Sequence, residues 1–422
     1  MEVLIIGAGT TGLLLAQGLK KANIKATVFE RDTSDYYQNR ERDWGMSLHW
    51  GTEAINTVLP PELQARIKEA ATDPFWDPPD GGCLTLPQFA GHTGELLNVT
   101  PMPRGSLRVR RKGLRKLFSE GIEINYGKRL ESIVKSDAGV TAAFEDNSQA
   151  TGSLLIGCDG NSSRVRELLV GLDKSPKSSL GINMFNFTAQ IDPEMSRMIR
   201  AKAPICINSY HPRNWMFWVA IQNVLDSADP TTWSFQLMFS WLGSPTKAEL
   251  ATQEARTAFL KSKASEYSDF WRTILDAIRE DARFGVDDIA YWEPVDWSSQ
   301  PLASHVTLAG DAAHAMPPYR GQGLNNALED SYLLTKLLIE VGTHPSPEAL
   351  TSLLRQYERE MIPRAKLEMQ ISTTAARLAH EYENRMENPL IKLGIRRSGD
   401  ADFGDEPVVD GDANSSAHAD GA

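Results

Sequence analysis

The chain has 422 residues, enough for one large domain or two interleaved ones, and its 41% hydrophobic and 23% charged residues are the mix of an ordinary globular protein. The net charge of −11 owes most to the stretch after residue 398, which holds seven acids and no Lys or Arg; no basic stripe marks a nucleic-acid partner. Three scattered cysteines (Cys83, Cys158, Cys206) argue against a disulfide framework or a zinc site, and no apolar run approaches membrane-spanning length or reads as a signal peptide, so a soluble, cytosolic protein is expected.

Residues 2–6 read as a buried strand, 12–21 as a helix with Leu13, Leu14, Ala16 and Leu19 on its apolar face, and 26–29 as a second strand. This is a βαβ opening of roughly 30 residues. Between strand and helix lies Gly7-Ala8-Gly9-Thr10-Thr11-Gly12. Gly7 permits the tight turn, Gly9 lets backbone approach a pyrophosphate, and Gly12 lets the helix pack on the sheet. The helix N-terminus, with Thr11 in its first turn, then presents N–H groups to the phosphates. Glu30 ends the second strand, placed to accept both hydroxyls of an adenosine ribose and to repel a 2′-phosphate.

Residues 74–105 are rich in Pro and Gly and read as loops with short strands. A helix is expected over 113–119 and strands over 122–126, 139–144 and 153–157. The middle of the chain turns aromatic and β-branched, at 184–187, 205–210, 215–221 and 233–241. In the last, Phe235, Leu237, Phe239 and Trp241 share one face, and Gln236, Met238 and Ser240 the other. The expectation is an antiparallel sheet, with Tyr210, Trp215, Phe217, Phe235 and Phe239 as candidates to line a substrate pocket. The competing reading makes them ordinary core. Helical pattern follows over 246–280, 324–339 and 347–381. From 398 onward Asp, Gly, Ala and Ser dominate and disorder is expected.

A second glycine turn precedes the last helices: Ala309-Gly310-Asp311-Ala312-Ala313-His314, then Pro317-Pro318 and Gly321-Gln322-Gly323-Leu324-Asn325. Paired with the first, it points to a protein holding both ends of one long dinucleotide, FAD. Asp311 can accept a hydrogen bond from a ribityl hydroxyl. The helix beginning near Leu324 can aim its positive end at flavin N1 and O2, favouring the reduced, anionic ring. Pro317 and Pro318 stiffen the turn and leave their carbonyls for the substrate. No other Gly-x-Gly-x-x-Gly opens a βαβ unit, so NADPH or NADH would visit only transiently.

Three spaced motifs resemble the single-component, FAD-dependent hydroxylases of the para-hydroxybenzoate hydroxylase class. They are Gly7 to Gly12 with Glu30-Arg31; Cys158-Asp159-Gly160 with Ser163 and Arg166; and Gly310-Asp311 through His314 to Asn325. Arg42-Asp43-Trp44-Gly45 and Arg111-Lys112-Gly113-Leu114 are smaller matches, and the segment after Arg42 is similar to fungal secondary-metabolite enzymes. The resemblance spans about residues 1–385.

It implies an α/β chain, α+β overall. A Rossmann-like FAD-binding domain (1–73, 106–172 and 301–385, the last with the C-terminal helices) would be interleaved with a substrate-side insertion (74–105) and an antiparallel-sheet substrate domain (173–300), before a tail (386–422). It implies NAD(P)H as hydride donor and O₂ captured as a flavin C4a-hydroperoxide. The product would be a hydroxylated or epoxidised electron-rich aromatic, indole or polyketide-type small molecule of secondary metabolism. Arg31, Arg42, Arg111 and Asp159 would attend the cofactor, with Arg42 and Asp159 in contact. Catalytic candidates are few: His49, Pro317 and Pro318. His314 reads as a packed residue, and His211 lies near a turn of the middle sheet; neither is taken as the general base. No metal is implied. A flavin reductase that does not use O₂ and a non-catalytic flavin-binding module are the alternatives. A halogenase is disfavoured because Trp215-Met-Phe-Trp218 lacks the Trp-x-Trp-x-Ile-Pro signature. Oligomeric state stays open.

Overall fold

The computed structural model describes residues 1–77, 84–136, 139–202, 205–395 and 397. Cys83 and the acidic tail from 398, expected to be disordered, lie outside them.

The strand Glu2–Ile6 is an uninterrupted apolar run after its first residue, as suits a strand covered on both faces. It sits at the centre of a five-stranded parallel sheet, flanked by Lys25–Phe29 and Leu154–Gly157 and then by Ile124–Asn125 and Val306–Leu308. Ile124–Asn125 is all that pairs of the strand expected over 122–126. The helix Thr10–Lys21 lies on this sheet, and Gly18 gives it room to meet Thr335 of the helix Gly323–Val341. Gly7 adopts φ +111°, and a Cβ there would stand 2.4 Å from the carbonyl oxygen of Cys158. A Cβ on Gly12 would stand 2.2 Å from the carbonyl oxygen of Gly7. Both glycines are therefore fixed by close backbone approach.

The aromatic strands build a seven-stranded sheet in the order Val286–Tyr291, Ser178–Ala189, Ser234–Leu242, Trp215–Asn223, Ile207–His211, Thr85–Ala90, Leu96–Pro101. It is antiparallel except where Ile207–His211 runs parallel to Thr85–Ala90. Alternation gives it two unlike faces. One carries Phe185, Phe217, Phe235, Phe239 and Trp241, all sealed beneath Leu260, Trp271, Ile274 and Leu275 of the helices Gln253–Lys261 and Asp269–Asp276. These two helices, joined by the 3₁₀ turn Ala264–Glu266, replace the single helical stretch expected over 246–280. The other face carries Met184, Asn186, Met216, Trp218, Gln236 and Met238 and looks into a cavity.

A short ribbon, Gly45–Leu48 paired with Leu107–Arg110, lies between the two sheets. The 32-residue helix Pro347–Leu378 ties them together: Tyr357 donates to the carbonyl of Leu308 beside the parallel sheet, and Ala375 and Ala376 pack in the cluster under the large one. No helix among the described residues is long and apolar enough to cross a membrane.

Candidate active site

One cavity of about 340 Å³ runs between the two sheets. At one end its wall is the first glycine turn and the segment it packs against: Gly9, Thr10, Thr11, Cys158 and Gly160. Gly9 is the N-cap of the opening helix, and the nearest atom to a Cβ placed on it would be 3.9 Å away, so it leaves an open cradle in front of the helix N-terminus. Glu30 turns its carboxylate back on the same turn, accepting from the N–H of Ala8 and of Asp32, each at 3.0 Å. Arg31, its neighbour, is exposed beside Asp32.

The second glycine turn closes the far wall with Asp311, Met316, Pro317, Pro318, Gly321, Gly323 and Leu324. Gly310 adopts φ +61°, and a Cβ there would meet Thr11 Oγ1 at 2.5 Å, so the two turns touch. Asp311 is exposed, its side chain opening onto the cavity. The protein mass around the cavity desolvates its carboxyl and pushes it above the usual carboxylate range. Beneath the turn, Asp330 accepts from Gly310 N (2.7 Å), His314 Nε2 (2.6 Å) and Arg364 Nη2 (2.8 Å), all buried. The cations and donors outweigh the burial and hold Asp330 down to about 2. Arg166 spans the motifs from below: it donates to the carbonyls of Asn161 and Ala312 and covers the ring of Trp292.

Arg111 forms the rim with Trp44. Its guanidinium sits 4.7 Å from the Trp44 ring centre, and Nη1 is buried with no hydrogen-bond partner among the described residues. Burial lowers its pKa to about 10, which leaves it charged at neutral pH. An orphaned guanidinium, an open glycine cradle at a helix N-terminus, and a carboxylate facing the cavity together fit a pyrophosphate and a polyhydroxyl chain. The residues present therefore fit FAD.

Several residues fall elsewhere than expected. Arg42 and Asp159 are not partners. Asp159 supports the start of the helix Arg164–Val170 beside its N-cap Ser163, accepting from Ser163 Oγ, Arg164 N and Val165 N, so both its oxygens are engaged. Arg42 reaches across to Asp287 on the edge strand of the large sheet. Asn325 is fully buried and clamps the segment after the ribbon: its amide oxygen accepts from His49 N and Gly51 N, and its nitrogen donates to the carbonyls of Ser47 and Gly321. It shapes the turn without lining the cavity. His49 is sealed behind it, its Nε2 accepting from Asn325, and burial drives its pKa down to about 3. A neutral ring outside the cavity wall has no route to a substrate proton.

The aromatic pocket is also corrected. Trp215, Phe217, Phe235 and Phe239 belong to the face turned toward the helices, where they complete a core. Tyr210 points the other way but is sealed, donating to Gln88 Oε1 at 2.7 Å. The cavity floor uses the opposite parity, and the sequence reading missed it. Gln236 Oε1 accepts from Gly45 N (2.9 Å) and Arg108 Nη2 (2.5 Å), while Gln236 Nε2 donates to Asn186 Oδ1 (2.8 Å). Around this polar line stand Met46, Met102, Met184, Met216, Met238 and Met316. The alternation Phe235, Gln236, Leu237, Met238 held the signal: polar residues on a strand covered from both sides are the ones that need a reason.

Comparison with known proteins agrees with this geometry. The family model described as "FAD binding domain" matches residues 1–43 and 112–372. The chain is 36% identical over 400 residues to the FAD-dependent monooxygenase phnB of Penicillium herquei, covering 93% of this chain and 95% of that protein. It is 35% identical over 397 residues to the FAD-dependent monooxygenase cctM of Talaromyces islandicus, covering 94% and 97%. Among solved structures, a putative FAD-containing monooxygenase from Photorhabdus luminescens superposes with a TM-score of 0.73 at 23% identity over 90% of this chain and 99% of that one. HpxO of Klebsiella pneumoniae, complexed with FAD and uric acid, superposes with a TM-score of 0.72 at 20% identity over 94% and 92%. Fold and site thus define a flavin-dependent oxygenase class. The chain belongs to the FAD-dependent monooxygenases built on this FAD binding domain.

Proposed function

We propose that this monooxygenase takes its electrons from NADPH or NADH and hydroxylates, or epoxidises, an electron-rich aromatic, indole or polyketide-type molecule of secondary metabolism. The supporting observation is that the dinucleotide cradle and the amide-and-methionine floor are two ends of one cavity, which brings a redox ring and a flat apolar substrate face to face. Bound FAD supplies the centre that accepts hydride and activates O₂.

The chain's own residues do the rest. Gly9, Thr11 and the helix N-terminus hold the pyrophosphate; Gly7 and Gly12 set that turn; Glu30 holds the adenosine ribose and Asp311 the ribityl chain. Gly310, Gly321, Gly323 and Leu324 carry the backbone past the ring, and Arg111 sets the rim. Pro317 and Pro318 present a rigid edge to the substrate. The six methionines give an apolar, adaptable wall that keeps water from the reacting carbon. Division of the chain into a cofactor unit (1–73, 106–172, 301–385) and a sheet unit (74–105, 173–300) belongs to the same reading.

The test is anaerobic mixing of the FAD-loaded protein with NADPH, with and without candidate polycyclic phenols, followed by product analysis under O₂. Substrate-accelerated flavin reduction and a product heavier by one oxygen are expected. Rapid reduction with no oxygenated product would instead favour a reductase.

A further inference from the structure

Among the described residues several buried arginines face carboxylates, while Arg115 and Arg166 cover the Tyr37 and Trp292 rings away from the cavity, which leaves Arg108 as the cation without a carboxylate at the substrate end. Arg364 faces Asp330 and Glu360, Arg320 faces Glu368, and Arg200 faces Asp73. Arg108, 4% exposed, forms no ion pair with a described residue. Its Nε donates to the carbonyl of Ile221 (3.0 Å) and its Nη2 to Gln236 Oε1, both neutral, and Nη1 donates to no described residue. The guanidinium lies 4.7 Å from the ring centre of Trp218. Gly45 makes its position possible, since a Cβ there would stand 2.4 Å from Nη2.

Its surroundings come from every adjoining element. They are the Gln236 amide, the Trp218 face, the Ile221 carbonyl, the Gly45 backbone and, before the strand Ile207–His211, the Cys206 thiol. Burial pushes that thiol up to about 11, so it carries no charge to answer the cation at neutral pH. The other charged groups lining the cavity are Asp311 and Arg111 on the cofactor side and Arg320, engaged by Glu368. A desolvated cation without a counter-charge is costly, and its cost is offset when an anion enters.

We infer that Arg108 is the residue that selects an anionic substrate, seating a phenolate or enolate oxygen of the molecule to be oxidised, with Gln236, Asn186 and Asn208 as its neutral neighbours. This rests on the proposed hydroxylation. A ring bearing an ionised oxygen is the more nucleophilic toward an electrophilic oxidant, and a charge spread over a flat ring suits the methionine walls. Asn208 Oδ1, buried at the cavity without a hydrogen-bond partner among the described residues, is placed to accept from a second hydroxyl of the same molecule.

The test uses the FAD-loaded protein and 4-nitro-1-naphthol, whose phenol and phenolate absorb at different wavelengths. The bound dye is expected to ionise about 1–3 pH units below the free dye. Arg108→Met is expected to abolish that shift and weaken phenolate binding at least about tenfold, as for a lost charged hydrogen bond. Arg108→Lys should keep part of the shift. Gly45→Ala, which displaces the guanidinium, should weaken binding in the same direction and serves if Arg108→Met does not fold. Binding of the neutral phenol by the unaltered protein, no binding at all, or an undiminished shift in Arg108→Met would each overturn the assignment. Oxygen uptake is scored separately: phenolate binding without oxygenation of any substrate leaves the seat standing and removes the hydroxylation.

Discussion

At the scale of single residues, what matters is which lone pairs and protons are already engaged. Glu30, Asp159 and Asp311 look alike in sequence, each an acid just after a strand of the parallel sheet. Glu30 and Asp159 accept backbone N–H groups, whereas Asp311 faces the cavity. Asp311→Ala should therefore weaken FAD retention about tenfold or more, the worth of a charged hydrogen bond being about 1.5–3 kcal/mol, with little loss of fold. Titration of apoprotein with FAD measures it, and an unchanged dissociation constant would remove Asp311 from the ribityl chain. Asp159→Ala should act on the start of the helix Arg164–Val170 instead. The expected cost is about 1 kcal/mol of stability, typical of lost side-chain acceptors at a helix N-terminus, read from a denaturant midpoint.

At the scale of elements, the second glycine turn is held from below by a helix pair. Asp330 on Gly323–Val341 receives three donors, one of them Arg364 from Pro347–Leu378. Removing one member of a buried ion pair costs about 3–5 kcal/mol because the other charge is stranded. Asp330→Ala should accordingly lower the unfolding midpoint and loosen FAD together, since Gly310 loses the acceptor for its N–H. A variant that unfolds earlier yet holds FAD as before would show that the turn is shaped from elsewhere. Pattern alone finds these helices, but not that Asp330 faces inward, because an acid on a helix reads as a solvated face. The same limit explains the 246–280 stretch. Its helical period is real, but the chain must break to lay two short helices across the aromatic face of the sheet.

At the scale of the whole molecule, closing two sheets over one cavity buries histidines that an unfolded chain leaves at their ordinary pKa near 6.5. His49 is held down to about 3 and His380 to about 4, both chiefly by desolvation. His380 donates from Nδ1 to the carbonyl of Ala376 and lies 3.0 Å from Ser240 Oγ through Nε2, which links the long helix to the large sheet. Folded pKa values below the unfolded one mean that the unfolded chain binds more protons in acid. The stabilisation is thus complete above about pH 6.5 and drains away as pH falls toward 3 or 4. Each histidine should cost about 2 kcal/mol between pH 6.5 and 5. His380→Gln should flatten that slope in unfolding measurements, and an unaltered slope would mean that other groups set it.

The glycine turns, the opening βαβ unit and the alternating middle strands were legible in the chain because local rules govern them: a glycine where backbones touch, a period of two where a sheet has two faces. The sequence by itself thus determined two glycine turns of the kind that would hold a long dinucleotide, and the two-faced sheet between them. Only the tertiary structure decided which face became core and which became floor, because both are covered and covering is a property of what packs against a strand. The aromatic side went to the helices, and the side bearing Gln236 and Asn186 went to the cavity. Arg108 was invisible for the same reason: an arginine in a short strand is ordinary until the fold buries it with no carboxylate partner among the described residues.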